Sequence, residues 1–305
     1  MENDLTIIIV GKNEEKILDK CFVSACAITD NIIYVDSDST DSSIEIAKKY
    51  KKIKIISLIS ENYFHTASLA RSIAAKEVKT KFIQFIDADM TIDDDWVKVA
   101  KKRLEDESLL AAAVGYKKDY ATIDNDIYTL RKDNKEFYPD YLSGAFLIKK
   151  KEYDLAGGFD PLVPWDEERD LYLRILKNKK KVIYLDVLMA SHFDYKTKSR
   201  GILFILLNEK HKCFWRIIGK VFSDHNFSSY IFVYRNAIPF LIADLVSLYF
   251  LTSFDLVNMI LAQLIALIYG LIIKRRGLIF YWKSILLSSV YLFFPKKRKL
   301  KIKFL

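Results

Sequence analysis

The sequence predicts an α/β fold: a mostly parallel central sheet with helices on both faces over residues 1–199, then a helical region over residues 200–305. Three observations lead there. Short runs rich in Ile, Val, Leu and Phe alternate with stretches of helical periodicity through the first half. Those runs are nearly continuous in apolar residues, the pattern of strands buried on both faces. The last third changes character, with long apolar segments bounded by Lys and Arg.

Taken in order, Leu5–Val10 is the first strand and Glu14–Ile28 the first helix. Ile32–Val35 and Asp41–Tyr50 repeat the unit, as do Ile53–Leu58 with Thr66–Lys76 and Phe82–Ile86 with Asp94–Glu105. Asp93-Asp94-Asp95 opens that fourth helix, where the positive end of the helix dipole favours carboxylates, and is assigned no chemistry. A more mixed stretch from Ala111 to His192 holds strands at Ala111–Gly115, Ala145–Ile148 and Val182–Leu185.

The polar clusters fall between these elements. Asn13 and Glu14 follow the first strand, Asp36-Ser37-Asp38-Ser39 the second, and Asp87-Ala88-Asp89 the fourth. In a parallel sheet all three stand at carboxyl ends of strands, the edge where open α/β sheets bind ligands. Two carboxylates at i and i+2 can converge on one hard cation once the chain bends after the strand. Mg²⁺ or Mn²⁺ takes oxygen ligands and commonly bridges a nucleotide diphosphate. Asp87-Ala88-Asp89-Met90-Thr91 also fits the nucleophile motif of a haloacid-dehalogenase-like phosphatase, with Asp87 phosphorylated and Asp89 as acid/base. That motif normally lies on a first strand, and three strand–helix units precede it here.

Charge separates the two regions. From Lys196 onward lie 18 of the 48 Lys and Arg but only 4 of the 39 Asp and Glu. Arg200–Tyr230 is amphipathic and basic, as in a helix lying at a membrane surface. Three apolar runs follow: Asn236–Phe254 with the single charge Asp244, Leu256–Ile273 with none over 18 residues, and Gly277–Phe294 with Lys283. A bilayer crossing needs ~20 apolar residues, so the first two runs, broken at Thr252-Ser253, read as a helical hairpin and the third as interfacial. A buried helix pair is the alternative, since Asp244 is costly in lipid. Lys274-Arg275-Arg276 and Lys296-Lys297-Arg298-Lys299 mark the cytoplasmic side. Cations flanking apolar runs suit anionic lipid and argue against nucleic acid, whose binders carry them on the folded domain. Cys21, Cys26 and Cys213, an odd number without a close pair, fit reduced thiols in the cytoplasm. The run Leu5–Val10, preceded by Glu2 and Asp4, is too short for a leader peptide.

Taken together the motifs resemble family 2 glycosyltransferases of the GT-A fold. The resemblance covers roughly residues 4–195. It rests on Thr6–Val10 with Asn13-Glu14, Val35–Asp41, Ala70-Arg71-Ser72, Phe85–Asp89, Gly144-Ala145-Phe146, Gly157-Gly158-Phe159-Asp160, Glu167–Leu171 and His192, in family order. It implies a nucleotide-sugar donor, bound through Asn13, Glu14, Asp36, Asp38, Arg71 near the phosphates, and Asp87. It implies Mg²⁺ or Mn²⁺ on Asp87, Asp89 and His192. It implies a catalytic base at Glu168, or else Glu167, for an inverting transfer. Asp36 with Ser39, Thr40 and Asp41 also reads as a turn and helix cap. Glu167-Glu168-Arg169-Asp170 also reads as an acidic first helical turn. The sequence departs from the family at Glu168, where Asp is usual, and at Ser72, where Asn is common. A degenerate, non-catalytic membrane protein is therefore a further alternative. Beside the apolar C-terminal region, the implied acceptor is a lipid-linked sugar or a glycan at the cytoplasmic membrane face.

Overall fold

The structure, a computed structural model, describes residues 2–59, 66–120, 128–139, 141–161, 167–193, 242–243, 245–247, 249–250, 255–272 and 301–305. The chain divides into two units, Met1–Lys198 with Arg298–Leu305, and Ser199–Lys297.

In the first unit the expected strand–helix repeats are present. Strands β1 (Leu5–Gly11), β2 (Ile32–Asp36), β3 (Ile53–Ile59) and β4 (Phe82–Asp87) run parallel in the order β3-β2-β1-β4. Helices α1 (Leu18–Ile28), α2 (Ser43–Ala47) and α3 (Ala67–Lys76) connect them. The sequence explains why the strands are largely apolar. Side chains alternate between faces along a strand. Leu5, Ile7 and Ile9 enter one core layer with α1, while Ile8 and Val10 enter the other with Leu69 and Ala70 of α3. Each layer buries a nearly full set, and few strand positions are left to polar side chains, among them Thr6 of β1 and Lys54 and Ser57 of β3.

Gln84 is the exception inside β4, and it is satisfied. Its Oε1 accepts from Trp96 Nε1 at 2.8 Å and its Nε2 donates to the Phe85 carbonyl at 2.8 Å. Trp96 lies on α4 (Asp94–Asp106), which follows the short β5 (Met90–Ile92).

The sheet as a whole is mixed, not mostly parallel. β6 (Leu110–Tyr120), β7 (Tyr128–Arg131), β8 (Phe146–Lys149) and β9 (Lys181–Phe193) complete it with α5 (Lys150–Leu155) and α6 (Glu167–Lys177). β8 is antiparallel to both β4 and β6, and β5 is antiparallel to β9. Antiparallel neighbours need no crossover helix, so the second half departs from the repeat of the first. β6 and β9, parallel to each other, run well past the expected Ala111–Gly115 and Val182–Leu185. Their extensions carry Asp119 and His192. A last strand, β10 (Lys301–Phe304), pairs antiparallel with the outer edge of β3, Lys301 opposite Ile59.

In the second unit the expected apolar helix is present at Leu256–Ile272, 17 residues long. Gln263 Nε2 donates to Ser247 Oγ at 2.6 Å. Among the described residues no helix is long and apolar enough to cross a membrane. The amphipathic stretch 200–230 and the run 277–294 lie outside the described residues, as does much of 236–254.

Candidate active site

The strand ends converge as a parallel sheet requires. Gly11 at the end of β1 pairs with Asp36 of β2, and Val10 pairs with Asp87 of β4, so the two acids flank one strand end. Gly11 matters for what lies across from it. A Cβ there would come 2.5 Å from the Cβ of Ala88, so glycine lets the Asp87-Ala88-Asp89 turn close against β1.

The loops after β1 and β2 are laced together. Asn13 takes a positive φ of 57°; its N–H donates to Ser39 Oγ and its Oδ1 accepts from the Thr40 N–H at 2.8 Å. Glu14 is buried, and its N–H donates to Ser43 Oγ. Asp36 is buried: Tyr34 Oη donates to its Oδ1 at 3.1 Å and the Ser39 N–H to its Oδ2 at 2.9 Å. Burial, with Asp36 beside it, raises the Tyr34 phenol, which keeps it a donor. Asp38 sits in the same loop at a positive φ of 65°. Asp36 thus has the turn-organising geometry that its Ser- and Thr-rich surroundings forecast.

Asp87 and Asp89 leave β4 with different partners. Asp87 Oδ1 accepts from Arg71 Nη2 at 2.7 Å. Burial holds the Asp87 carboxyl above the ordinary carboxylate range, against the opposing pull of Arg71. Asp89 Oδ2 lies 3.5 Å from His192 Nε2, and His192 Nδ1 lies 3.0 Å from Asp119 Oδ1. The hydrogen bond to Asp89, opposed by burial, lifts the His192 imidazole above its ordinary value. Asp119 was not foreseen. It lies past the expected strand Ala111–Gly115, and the pairing of β6 with β9 brings it to His192.

Asp89 and His192 offer groups suited to a divalent cation. Asp89 Oδ1 is buried and has no hydrogen-bond partner among the described residues. Asp119 fixes the other side of the imidazole, as partners of metal-binding histidines do. Among the described residues no cluster of three or more His, Cys, Asp or Glu is arranged to hold a metal by itself. Mg²⁺ in nucleotide sites takes one or two carboxylates and completes its shell with phosphate and water. An orphaned carboxylate oxygen beside an oriented imidazole fits a cation that arrives with its nucleotide.

Arg71 connects this corner to α6. It is 2% exposed, on the inner face of α3. Nη1 donates to Glu168 Oε1 at 2.6 Å and Glu167 Oε1 at 3.2 Å, and Nη2 to Asp87 and to the Gly144 carbonyl at 3.3 Å. The Phe159 ring lies against the guanidinium, 5.3 Å away. Burial and the neighbouring Glu168 push the Glu167 carboxyl up to about 8, against the pull of Arg71. Asp170 is paired with Arg174 at 2.6 Å within α6. The structure therefore brings Glu167, Glu168, Arg71 and Asp87 into one array and Asp89 and His192 into an adjoining one.

The family model for glycosyl transferase family 2 matches residues 6–160. Glycosyltransferase GlyA of Streptococcus pneumoniae is 26% identical over 176 residues, 57% of this chain and 23% of that protein. The chain thus spans about a quarter of the length of that curated relative. Among solved structures, the mannosyltransferase PcManGT of Pyrobaculum calidifontis, in complex with GDP-Man and Mn²⁺, superposes with a TM-score of 0.58 at 12% identity. That match covers 96% of this chain and 88% of the other. S. aureus TarS 1–349, in complex with UDP-GlcNAc, gives 0.54 at 15% identity over 84% and 89%. The architecture is the GT-A-like α/β fold with a mixed central sheet, and the chain belongs to glycosyl transferase family 2.

Proposed function

We propose that this protein moves a sugar from a nucleotide-sugar donor to an acceptor hydroxyl by single displacement with inversion. The reading rests above all on the array in which Arg71 joins Asp87, at the end of β4, to Glu168, at the start of α6. Asp36, with Asn13, Glu14 and Asp38 around it, binds the nucleoside. Asp87 contacts the donor, and Asp89 with His192 holds Mg²⁺ or Mn²⁺. When bound, the cation neutralises charge on the departing nucleoside diphosphate. Glu168 accepts the proton of the acceptor hydroxyl. Glu167, whose carboxyl burial pushes up to about 8, is the less suited of the two to take up a proton at neutral pH.

The nucleophile of the phosphatase motif would stand on a first strand. Asp87 stands on the fourth strand and accepts from a buried arginine, so the phosphatase alternative is set aside. The acceptor is a lipid-linked sugar or a glycan, and the protein works at the cytoplasmic face of a membrane. Support for this comes from the apolar and basic C-terminal third.

The test is a screen of UDP- and GDP-sugars, with and without Mn²⁺, for thermal stabilisation and sugar release. One nucleotide class should stabilise the protein only with metal, and Asp89→Asn should lose that stabilisation and about 10²–10³-fold in turnover. If no sugar nucleotide binds, or if Asp89→Asn turns over donor at the wild-type rate, the reading fails.

A further inference from the structure

Arg71 is expected at the phosphates from family resemblance, but the contacts around it describe another task. Its four Nη hydrogens meet four acceptors: Glu167, Glu168, Asp87 and the Gly144 carbonyl. None of the four is left for a phosphate; the fifth donor, the Nε–H, is buried and has no partner among the described residues. The guanidinium is buried, so reaching a diphosphate would require breaking this set.

The fork joins two acids that belong to opposite halves of the proposed reaction. Asp87 is donor-side and Glu168 acceptor-side. Glu168 carries one more methylene than the aspartate usual at this place, and so one more rotor to order before a proton can be taken. A charge-assisted bond at 2.6 Å from Nη1 to Oε1 removes that freedom and leaves Oε2 as the second oxygen. A planar guanidinium holds two carboxylates in fixed directions, whereas a lysine ammonium, though it can meet two, is a rotatable point charge that sets no such geometry.

We infer that Arg71 is the positioning residue of the transfer step, setting the reach of Glu168 from Asp87 through the two arms of one buried guanidinium. The inference rests on the glycosyltransfer reading above. It assigns Arg71 to the chemical step and takes it away from donor affinity.

The experiment is a double-mutant cycle with Arg71→Lys and Glu168→Gln, using the sugar nucleotide that the wild type turns over. Donor KM, kcat and calorimetric affinity for the free nucleoside diphosphate with Mn²⁺ are read for each protein. Arg71→Lys should lower kcat by ~10²-fold, the scale of a catalytic group displaced by about 1 Å. Donor KM and nucleoside diphosphate affinity should stay within about 3-fold, and the double variant should be no slower than Glu168→Gln alone. The inference is overturned if Arg71→Lys keeps the wild-type kcat, if its loss appears as weaker nucleoside diphosphate binding, or if the two losses multiply. Should Arg71→Lys not fold, Glu168→Asp takes its place. It withdraws the carboxylate from Nη1 while the cation keeps Asp87 and Glu167. The same kcat-selective loss is expected, and a full-rate Glu168→Asp enzyme overturns the inference. A wild type that turns over no sugar nucleotide overturns the glycosyltransfer reading itself, whereas failure of the Arg71 assignment alone leaves wild-type transfer intact.

Discussion

At the scale of single residues, the buried acids of this site are unequal, and Glu167 shows it most directly. Burial and the charge of Glu168 raise its carboxyl from an ordinary 4.5 to about 8. A raised acid favours folding in its protonated form. That contribution is complete below about 4.5 and is lost as pH climbs through about 8. Glu167→Gln cannot ionise and keeps an oxygen for Arg71. Its melting temperature should therefore gain on the wild type between about pH 5 and about pH 9. The gain should be several degrees, at roughly 2–4 °C per kcal/mol for a domain of this size. Paired melting curves across that range would show it, and a pH-independent difference would mean Glu167 is already ionised in the fold. Asp89 makes a different point. One of its oxygens is buried with no described partner, an arrangement that costs stability until a ligand meets it.

At the scale of elements, α3 is the part on which the array depends. Thr66 caps it, its Oγ1 accepting from the Leu69 N–H at 2.9 Å, and Arg71 sits on the turn that follows. Thr66→Ala should cost about 1 kcal/mol and lower turnover along with stability, because the frayed helix end lies next to the arginine. Chemical denaturation and initial rates on the same samples would test this; lost stability with full activity would separate the cap from the site. Much of this element was legible in the sequence, since Thr66 precedes an Ala-rich helical run. The four parallel strands were legible too, because burial on both faces leaves a continuous apolar signal. Helix starts were less so. Glu14–Ile17 reads as helix but turns before α1 begins at Leu18, its backbone held by Ser43 across the loop. β5, β7 and the outer half of β6 were not legible. They are short or polar, and they exist because β9 and β6 offer them an edge to pair with. The same holds for Asp119, whose meaning is set by a partner 73 residues away.

At the scale of the whole molecule, the first unit is made from two pieces of sequence, Met1–Lys198 and Arg298–Leu305. β9 leaves it at Phe193 and β10 re-enters it at Lys301, opposite the last residue of β3. In the order β10-β3-β2-β1-β4-β8-β6-β9, seven strand-to-strand steps separate the two. At roughly 4.8 Å a step, that is a span of about 34 Å. The intervening stretch is therefore a tether with a minimum length. An extended chain covers ~3.3–3.6 Å per residue, so fewer than ~10 residues could not bridge the sheet. A Gly/Ser spacer matches the span near ~40 residues, and lengthening it further costs only about 0.6 kcal/mol per doubling. Replacing residues 199–297 with such a spacer should leave amide exchange along β10 and β3 protected. A spacer of about 5 residues with the short flanks trimmed away should release β10 and expose β3. Exchange that stays slow at every spacer length would mean that β10 docks without help from its tether. The order of the sheet thus sets a lower limit on the number of residues between β9 and β10.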